Sequence, residues 1–422
     1  MNTTRTDKKI TIAIVSHALV VPENRNRWRL LAEDKKYEVH LLVPEIWQSE
    51  WFGEDDATIY ETKSESDGNF HIHPIATTDR KNWGKYLFKS TDAHLRKISP
   101  DLIYIVHEES ILIHHQIYLY KKLYAPKAKV IFFSMNARGV PYTRENNPLK
   151  RAVKRAMWNN IRKNTDAALV HYPGCLDSLR DGGYRKPIYM QTQIGVDEKL
   201  FRPDSTLRDE YRKRLSIAKD EIVIGYVGRL TEAKGIRELI PTFLQLSKSH
   251  SNIRLLLVGN GDLKNWIESQ VTEADMSERV TVTGFVAQGD VPGYMNAMDI
   301  FVLGSKTMPD WIDTFPLVTV QAQATGLPVV ASTSGSIPWQ LGDSALLFTE
   351  GDRDELRERL EEFIENPPLR REYAQKGRER SLSYFCIGGM TENFKRIIEQ
   401  IMVGDYIYHE DGEKYIQWKA YR

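Results

Sequence analysis

The chain has 422 residues, of which 41% are hydrophobic and 27% charged, and this length suggests two to three domains. Its 58 Lys and Arg residues nearly cancel its 57 Asp and Glu residues, and a net charge of +1 disfavours a protein dedicated to nucleic acid. Two cysteines, Cys175 and Cys386, are too few for a disulfide framework or a four-ligand zinc site and fit a reducing cytosol. The hydrophobic fraction excludes disorder for most of the chain.

No segment of the sequence has the pattern of a targeting signal or a membrane span. The amino end is polar up to Lys9, and the first apolar run, Ile10 to Val15, is too short for either. No other stretch approaches the roughly twenty apolar residues that a bilayer crossing needs. We therefore expect a soluble, cytoplasmic protein, for which contact with the inner face of a membrane stays open.

In the first half, short β-branched runs alternate with amphipathic stretches such as the one from Asn147 to Lys163. The runs predict six buried strands, at residues 10–15, 39–43, 102–106, 130–133, 167–170 and 188–190. This alternation is typical of a parallel sheet with helices on both faces.

The pattern restarts after Arg202-Pro203-Asp204, with a charged, helix-prone stretch at 209–220. A second series of strands is predicted at 222–227, 255–258, 280–283, 300–303, 329–332 and 345–348. We therefore predict an α/β protein of two Rossmann-like, doubly wound domains, residues 1–204 and 205–385, facing a central cleft. Residues 386–422 are predicted to form a helix and tail that return to the first domain. Ligands of such sheets bind at the carboxyl ends of the strands, so the loops after strands should carry the chemistry.

The first functional motif is the loop from Gly225 to Gly235, which follows the first strand of the second half. Gly228 lets the backbone approach a bulky ligand, and Arg229 and Lys234 supply two cations on a strand-to-helix turn. A planar guanidinium beside a compact ammonium suits a diphosphate. An ordinary solvated turn is the alternative for this segment taken alone.

The second motif runs from Asp310 through Asp313 and Phe315 into a helix that carries Gln321 on about its second turn. The free N–H groups and positive dipole end at the start of that helix suit an anion. Asp313 should lie in the preceding loop, so that Asp313 and Gln321 reach one ligand from different depths.

Together these segments resemble the family-4 group of retaining glycosyltransferases, which have the GT-B fold and use nucleotide-diphosphate sugars. The segments that carry the resemblance span nearly the whole chain: 228–230 with 234–235, 257–261, 283–286, 183–203 and 100–108. The resemblance implies catalytic roles for His107, Arg229, Lys234 and Asp313, with His107 contacting the transferred sugar. It implies donor-binding roles for Gly228, Gly259, Phe285, Val286, Phe315, Leu317, Val318 and Gln321. It also implies a retaining hexosyl transfer to a saccharide or lipid-linked acceptor, in polysaccharide or glycoconjugate synthesis.

Two features depart from the family. Its paired glutamates fall here on Asp313 and Gln321; Asp is one methylene shorter, and Gln loses charge assistance to a ribose hydroxyl, at about 1–2 kcal/mol. The loop after the first strand, residues 19–28, has no glycine pair, so the acceptor is not defined. A GT-B-shaped binding protein without turnover, or a nucleotide-sugar epimerase or hydrolase, therefore remains an alternative.

The expected mechanism follows the charge that develops on the donor. Negative charge grows on the β-phosphate as the glycosidic bond breaks, and Arg229, Lys234 and the N–H groups of Leu317 and Val318 would stabilise it. Pro316 cannot donate a hydrogen bond. No Asp-x-Asp element suits a metal, so metal-independent transfer without a cofactor is predicted, with no metal ligand in the site.

Two weaker patterns keep alternatives open. His71-x-His73 and His114-His115 are possible metal ligands, but no further ligand has suitable spacing, so a strand or helix surface is the favoured interpretation. The cations between Lys150 and Arg155 suit a helix on an anionic membrane, with a solvated helix face as the alternative.

Overall fold

The computed structural model describes residues 9–49, 58–82, 84–107, 112–309 and 311–404. Contacts between these residues group them into two units. Unit 1 comprises residues 9–193 and 390–404, and unit 2 comprises residues 194–389. Within the described ranges, no helix is both long enough and apolar enough to span a membrane.

Unit 1 is built on an eight-stranded sheet whose strands lie in the order β10-β9-β8-β7-β1-β2-β6-β5. All pairs in it are parallel except β5 with β6, and β3 and β4 form a separate antiparallel pair. The strands are β1 (Ile10–Val15), β2 (Tyr37–Pro44), β3 (Ile46–Ser49), β4 (Thr58–Glu61), β5 (Glu65–Asp67), β6 (Phe70–Ile75), β7 (Leu102–Ile105), β8 (Lys129–Ser134), β9 (Ala167–Val170) and β10 (Ile188–Met190). The helices are α1 (Asn26–Glu33), α2 (Thr91–Ile98), α3 (Leu112–Tyr124), α4 (Pro148–Asn164) and α5 (Pro173–Asp181).

All six predicted strands of this half are present, because fully buried strands of a parallel sheet read as continuous apolar runs. The sequence did not predict β3 to β6. In β6 the buried Phe70 and Ile72 alternate with His71 and His73, so the strand has no continuous apolar run to reveal it.

Unit 2 has a six-stranded, fully parallel sheet in the order β13-β12-β11-β14-β15-β16. The strands are β11 (Ile222–Val227), β12 (Ile253–Val258), β13 (Val280–Val282), β14 (Ile300–Leu303), β15 (Val329–Ser332) and β16 (Leu346–Phe348). The helices are α6 (Ser205–Arg214), α7 (Ile236–Leu246), α8 (Lys264–Glu273), α9 (Val291–Ala297), α10 (Leu317–Ala324), α11 (Ile337–Leu341), α12 (Arg353–Glu365) and α13 (Pro367–Tyr384). A further helix, α14 (Ile387–Val403), begins in unit 2 and continues in unit 1. All six strands predicted here are present, and their order, 3-2-1-4-5-6 within the unit, is that of a Rossmann sheet. The prediction of two doubly wound α/β units is therefore confirmed.

The chain enters unit 2 between Gln193 and Ile194, ahead of the predicted boundary at residue 204. Residues just after 193 pack on unit 2: the N–H of Val196 donates to the carbonyl of Phe385 over 2.8 Å. The chain leaves unit 2 between Gly389 and Met390, inside α14 rather than at residue 386. The predicted tail lies largely outside the described residues, which end at 404, and the predicted cleft stays a prediction.

Candidate functional site

The order of strands in unit 2 reverses between β11 and β14, so the loops after these two strands flank the switch point of the sheet. The loop after β11 carries Arg229 and Lys234, and the loop after β14 carries Asp313. These are the two motifs that the sequence singled out, although they lie about eighty residues apart. The topology alone therefore brings them to one edge of one sheet.

The loop after β11 is held against the loop after β12 by backbone contacts that leave no room for side chains. A Cβ atom on Gly259 would lie 1.9 Å from the carbonyl oxygen of Gly228, which itself has φ of 149°. The N–H of Leu230 donates to the carbonyl of Asn260 over 2.9 Å. Gly228 and Gly259 thus fix the shape of the turn on which Arg229 lies.

Arg229 is an exposed cation at this turn. The buried hydroxyl of Tyr226 donates to the carbonyl of Arg229 over 2.6 Å and so anchors its backbone. Burial raises the pKa of Tyr226, with Asp313 contributing to the rise, which keeps this hydroxyl protonated as a donor. Among the described residues, the guanidinium of Arg229 has no ion-pair partner. It is therefore available for an anionic ligand.

Lys234 is paired with the carboxylate of Asp313. Its ammonium nitrogen lies 3.0 Å from Oδ1 and 2.8 Å from Oδ2 of Asp313, and both side chains are largely buried. The same nitrogen lies 4.5 Å from the centre of the Trp311 ring, within range of a cation–π contact. The sequence assigned the lysine to the phosphate and the aspartate to the sugar, and the structure joins them.

The backbone and side chains around Asp313 fix its position. The hydroxyl of Ser305 donates to Oδ2 of Asp313, and the N–H of Ser336 donates to its carbonyl oxygen over 2.9 Å. Sequence reasoning missed Ser305 and Trp311, since nothing in their spacing marks a contact with residue 313 or 234. Asp310, which opens the predicted motif, lies outside the described residues.

The start of α10 offers backbone donors beside this pair. Pro316 precedes the helix and has no N–H, while the N–H of Thr319 is satisfied by the carbonyl of Pro316 at 3.1 Å. Within the described part of the chain, no acceptor bonds the N–H groups of Leu317 and Val318. Phe315 lies just before the helix and packs on Phe385, with ring centroids 5.6 Å apart. Two free N–H groups at a helix start suit a phosphate oxygen.

Gln321 lies on the second turn of α10, as predicted, and only 9% of its surface is exposed. In the described part of the chain its side-chain amide has no hydrogen-bond partner, although its backbone carbonyl accepts from Thr325. Because none of its polar side-chain atoms is fully enclosed, this amide is open to a ligand hydroxyl.

The loop after β13 adjoins the loop after β12 through a bridge between Gly284 and Gly259. It carries Phe285, which is 61% exposed, and Val286, which packs against the core of unit 2. An exposed aromatic ring next to a glycine-shaped turn offers a flat apolar surface, consistent with the nucleoside role that the resemblance implies.

Unit 1 has its own switch point between β1 and β7, and His17 and His107 lie just beyond these two strands. The Nδ1 atoms of the two rings are 3.2 Å apart, and the hydroxyl of Tyr86 lies 2.5 Å from Nε2 of His107. His107 is only 4% exposed, and burial, aided by His17 and His114, lowers its pKa well below the usual range. Both ring nitrogens of His107 are therefore engaged inside the unit. Glu108, which follows it, lies outside the described residues.

Tyr86, His107 and His17 form a hydrogen-bonded series, and burial indicates where its protons lie. Tyr86 is fully buried, burial raises its pKa, and its hydroxyl needs an acceptor, which is Nε2 of the neutral His107. His107 then donates from Nδ1 to Nδ1 of His17, so that His17 carries its proton on Nε2. Burial lowers the pKa of His17 to about 4, so it stays neutral near pH 7. His17, which the sequence did not single out, is thus the last residue of this hydrogen-bonded series, and its Nε2–H is a donor.

The predicted basic helix is α4, and its residues divide between an inner and an outer face. Trp158 points inward, with 2% exposed and its indole N–H donating to Gly182, while Lys154 pairs with Glu145 at 2.7 Å. The outer face instead presents Leu149 and Val153, 75% and 54% exposed, beside the exposed side chains of Lys150, Arg151 and Arg155.

Comparison with known proteins identifies the class. Sucrose-phosphate synthase from Thermosynechococcus elongatus is similar with a TM-score of 0.69, 19% identity and coverage of 94% of this chain and all of that one. Anabaena HepE in complex with UDP-glucose is similar with a TM-score of 0.63, 16% identity and coverage of 93% and 100%. The fold is therefore GT-B.

Residues 208–380 match the family model of the group 1 glycosyl transferases. A phosphatidylinositol monomannoside mannosyltransferase of Corynebacterium glutamicum, described as GDP-mannose-dependent, is 32% identical over 50% of this chain and 56% of its own length. The lipopolysaccharide core glycosyltransferase LpsE of Rhizobium meliloti is 24% identical over 56% and 65%. The matches thus span about half to two thirds of these relatives. The predicted resemblance is thus confirmed over residues 208–380, which are similar to the group 1 glycosyl transferases, and the similar solved structures show the GT-B fold.

Proposed function

We propose that this protein is a glycosyltransferase that moves a sugar from a nucleotide-diphosphate donor to a saccharide or lipid-linked acceptor. The observation that carries the proposal is the convergence at the unit 2 switch point of three unpaired donors: the Arg229 guanidinium and the N–H groups of Leu317 and Val318. An exposed cation and a helix start are the groups that bind a diphosphate. The similar HepE structures contain UDP or UDP-glucose, which supports the same ligand class here.

The donor would occupy the residues around the pair of Lys234 and Asp313. Arg229 would hold the diphosphate, Gln321 a ribose hydroxyl, and the loop with Phe285 and Val286 the nucleoside. The ammonium group of Lys234 has three N–H donors, and two of them form hydrogen bonds with Asp313. The third can therefore donate to a β-phosphate oxygen. In the same arrangement the carboxylate of Asp313 can accept from a sugar hydroxyl.

Transfer proceeds by cleavage of the bond between the anomeric carbon and the β-phosphate oxygen. The electron pair of that bond leaves with the phosphate, where Arg229, Lys234 and the start of α10 stabilise it. The acceptor hydroxyl forms the new bond to the anomeric carbon and gives its proton to the departing phosphate. This route retains the anomeric configuration and needs neither a metal nor a cofactor. In unit 1, His17, supported by His107 and Tyr86, is proposed as a neutral hydrogen-bond donor at the switch point of that unit's sheet.

The outer face of α4 supports a peripheral membrane contact. Leu149 and Val153 are apolar side chains that are more than half exposed, and three cations flank them. Such a face binds an anionic bilayer surface. Sedimentation with anionic and neutral liposomes tests this: we expect binding to the anionic vesicles that falls with salt and with Leu149→Ser/Val153→Ser, and absence of binding at low salt would refute it.

The function is tested by following release of free nucleoside diphosphate from UDP-, GDP- and ADP-sugars, with and without oligosaccharide and lipid-linked acceptors. We expect acceptor-dependent release with one nucleotide, unchanged by EDTA. Binding without release would instead support a GT-B-shaped binding protein, and release independent of acceptor would support a hydrolase. Inversion of the anomeric centre in the isolated product would contradict the mechanism.

A further inference from the structure

Three potential metal ligands converge on the strands β2 and β6 of unit 1. Glu38 and His40 lie two residues apart on β2 and so share a face, and His71 on β6 is the direct partner of His40 in the parallel register. Oε1 of Glu38 lies 3.4 Å from Nε2 of His71 and 3.8 Å from Nε2 of His40. The ligand atoms of all three side chains lie within 4.8 Å of one another.

The second polar atom of each ligand is held by a further residue. Nδ1 of His71 lies 2.8 Å from the hydroxyl of Ser66, and Nδ1 of His40 lies 3.0 Å from Nε2 of His73. Lys9 lies 3.2 Å from the other carboxylate oxygen of Glu38. Supporting bonds of this kind orient the first-shell ligands of protein metal sites and fix the histidine tautomer.

The atoms that converge are those with a lone pair to give. Ser66 and His73 can each accept a proton from Nδ1 of the neighbouring histidine, and in that tautomer Nε2 of His71 and of His40 presents a lone pair on the side of Glu38. Nε2 of His71 is buried and has no hydrogen-bond partner among the described residues.

We propose that Glu38, His40 and His71 form a binding site for a divalent transition metal of the zinc class. Two imidazoles and one carboxylate are the donor set that zinc prefers over calcium or magnesium, with a fourth position left for water. Zn–N bonds of about 2.0–2.1 Å place neighbouring ligand atoms roughly 3.3 Å apart, so small side-chain rotations close the site. In the sequence, His71 had only His73 as a nearby candidate ligand. The other two ligands, Glu38 and His40, lie on β2, and the pairing of β2 with β6 places them beside His71.

The proposed metal site lies near the amino-terminal ends of β2 and β6, whereas the residues predicted to contact the sugar lie at the carboxyl ends of the strands. Glu38 and His71 are the second residues of their strands, whereas His17 and His107 follow the carboxyl ends of β1 and β7. A metal there would tie β6, near the sheet edge, to β2, and its role is structural. It is independent of the metal-free transfer proposed above.

The direct test is zinc binding by the full chain after chelator treatment and dialysis, followed by calorimetry and by Co²⁺ substitution. We expect one equivalent of zinc, a Co²⁺ spectrum with the intense visible bands of four- or five-coordination, and a higher Tm with zinc. His71→Gln and Glu38→Gln should abolish all three. Ser66→Ala, which removes only a supporting bond, should weaken affinity about tenfold to a hundredfold.

His250→Gln is the matched control. His250 lies 3.3 Å from Glu365, much as His71 lies 3.4 Å from Glu38, but it belongs to unit 2 and no second imidazole adjoins it in the described structure. Its substitution should leave zinc affinity unchanged. An X-ray absorption spectrum of the zinc-loaded protein gives a reading that needs no variant, with two imidazoles expected in the first shell. Absence of zinc binding, equal binding by His71→Gln, or a shell without imidazole would overturn the proposal.

Discussion

The ammonium group of Lys234 lies 3.0 and 2.8 Å from the two carboxylate oxygens of Asp313, so the lysine of the proposed diphosphate site already has a counter-charge. This pair changes what each residue is expected to contribute. Asp313 holds Lys234 in place and lowers its net attraction for phosphate, while Lys234 orients a largely buried carboxylate and offers it two hydrogen bonds. The two residues therefore act as a unit, and their substitutions should not be additive.

Lys234→Met should weaken nucleoside diphosphate binding about tenfold to a hundredfold, since a hydrogen bond from a charged group contributes about 1.5–3 kcal/mol. It should also lower the free energy of unfolding by about 1–3 kcal/mol, because Asp313 is only 7% exposed and loses its cation. Calorimetric titration and chemical denaturation measure the two effects. Asp313→Asn should bind the nucleotide at least as well as the wild type, because it removes the counter-charge of Lys234. It should lose turnover, because a neutral amide accepts more weakly than a carboxylate from the sugar hydroxyl.

Lys306→Met is the control for this prediction. Lys306 is a partly buried lysine of the same unit, 2.6 Å from Glu232 and 2.9 Å from Glu238, and it lies outside the proposed phosphate site. It should lower stability without changing nucleotide affinity. If Lys306→Met weakened binding as much as Lys234→Met, the effect at Lys234 would be structural.

Arg229→Ala should weaken binding by a similar factor and leave stability within about 0.5 kcal/mol, because the exposed guanidinium has no ion pair in the described structure. Arg237→Ala provides the comparison, since Arg237 is exposed nearby and pairs with Glu232 at 2.8 Å. Equal nucleotide affinity of the wild type and Arg229→Ala would exclude Arg229 from the site.

Gln321→Ala should affect only ligands that carry ribose hydroxyls. Its buried amide has no partner in the described chain, so a ribonucleotide should gain a hydrogen bond there that a 2′,3′-dideoxy analogue cannot make. We expect the wild type to discriminate between the two about fivefold to tenfold, and the variant to lose that discrimination. Gln321→Glu should widen it, because a carboxylate accepts more strongly. A variant that still discriminates would place the ribose elsewhere.

Acid should destabilise unit 1 before unit 2. Burial lowers the pKa of several unit 1 histidines, to about 4 for His17, His40 and His73 and about 3 for His171. The unfolded chain binds these protons near pH 6.5 and the folded unit does not, so stability falls as the pH drops from 6.5 toward 4. The slope is about 1.4 kcal/mol per pH unit for a fully buried group such as His171, and less for the half-buried ones.

The two thiols report on the units separately. Cys175 in unit 1 and Cys386 in unit 2 are both buried and not disulfide-bonded. Labelling with a dithiodipyridine, which reacts in acid, should modify Cys175 at a higher pH than Cys386. Simultaneous labelling, or earlier reaction of Cys386, would contradict the assignment of acid sensitivity to the buried histidines.

The sequence predicted twelve strands, most of them buried on both faces, because a continuous apolar, β-branched run can be recognised without knowing its partner strand. It missed β6, where His71 and His73 interrupt the apolar pattern, and with it the cluster formed by Glu38 and His40. Strand register creates that cluster, and a single sequence does not contain register.

The residues of the candidate site could be predicted from the sequence for a different reason. Arg229, Lys234 and Asp313 follow strands that the apolar pattern had already located, and topology then brings the loops together. The ion pair between Lys234 and Asp313 could not be predicted from the sequence, and neither could the proposed role of His17. The role of His17 depends on the burial of Tyr86 and His107, because their hydrogen bonds leave the N–H of His17 on its Nε2 atom.

The most direct test of the account is calorimetric titration of UDP, GDP and ADP into the wild type, Arg229→Ala and Arg237→Ala. We expect one of the three nucleotides to bind with a stoichiometry of one, about tenfold to a hundredfold more weakly to Arg229→Ala and equally well to Arg237→Ala. Absence of binding by all three nucleotides, or equal binding by all three proteins, would contradict the proposal that the unit 2 switch point holds a nucleotide-diphosphate donor.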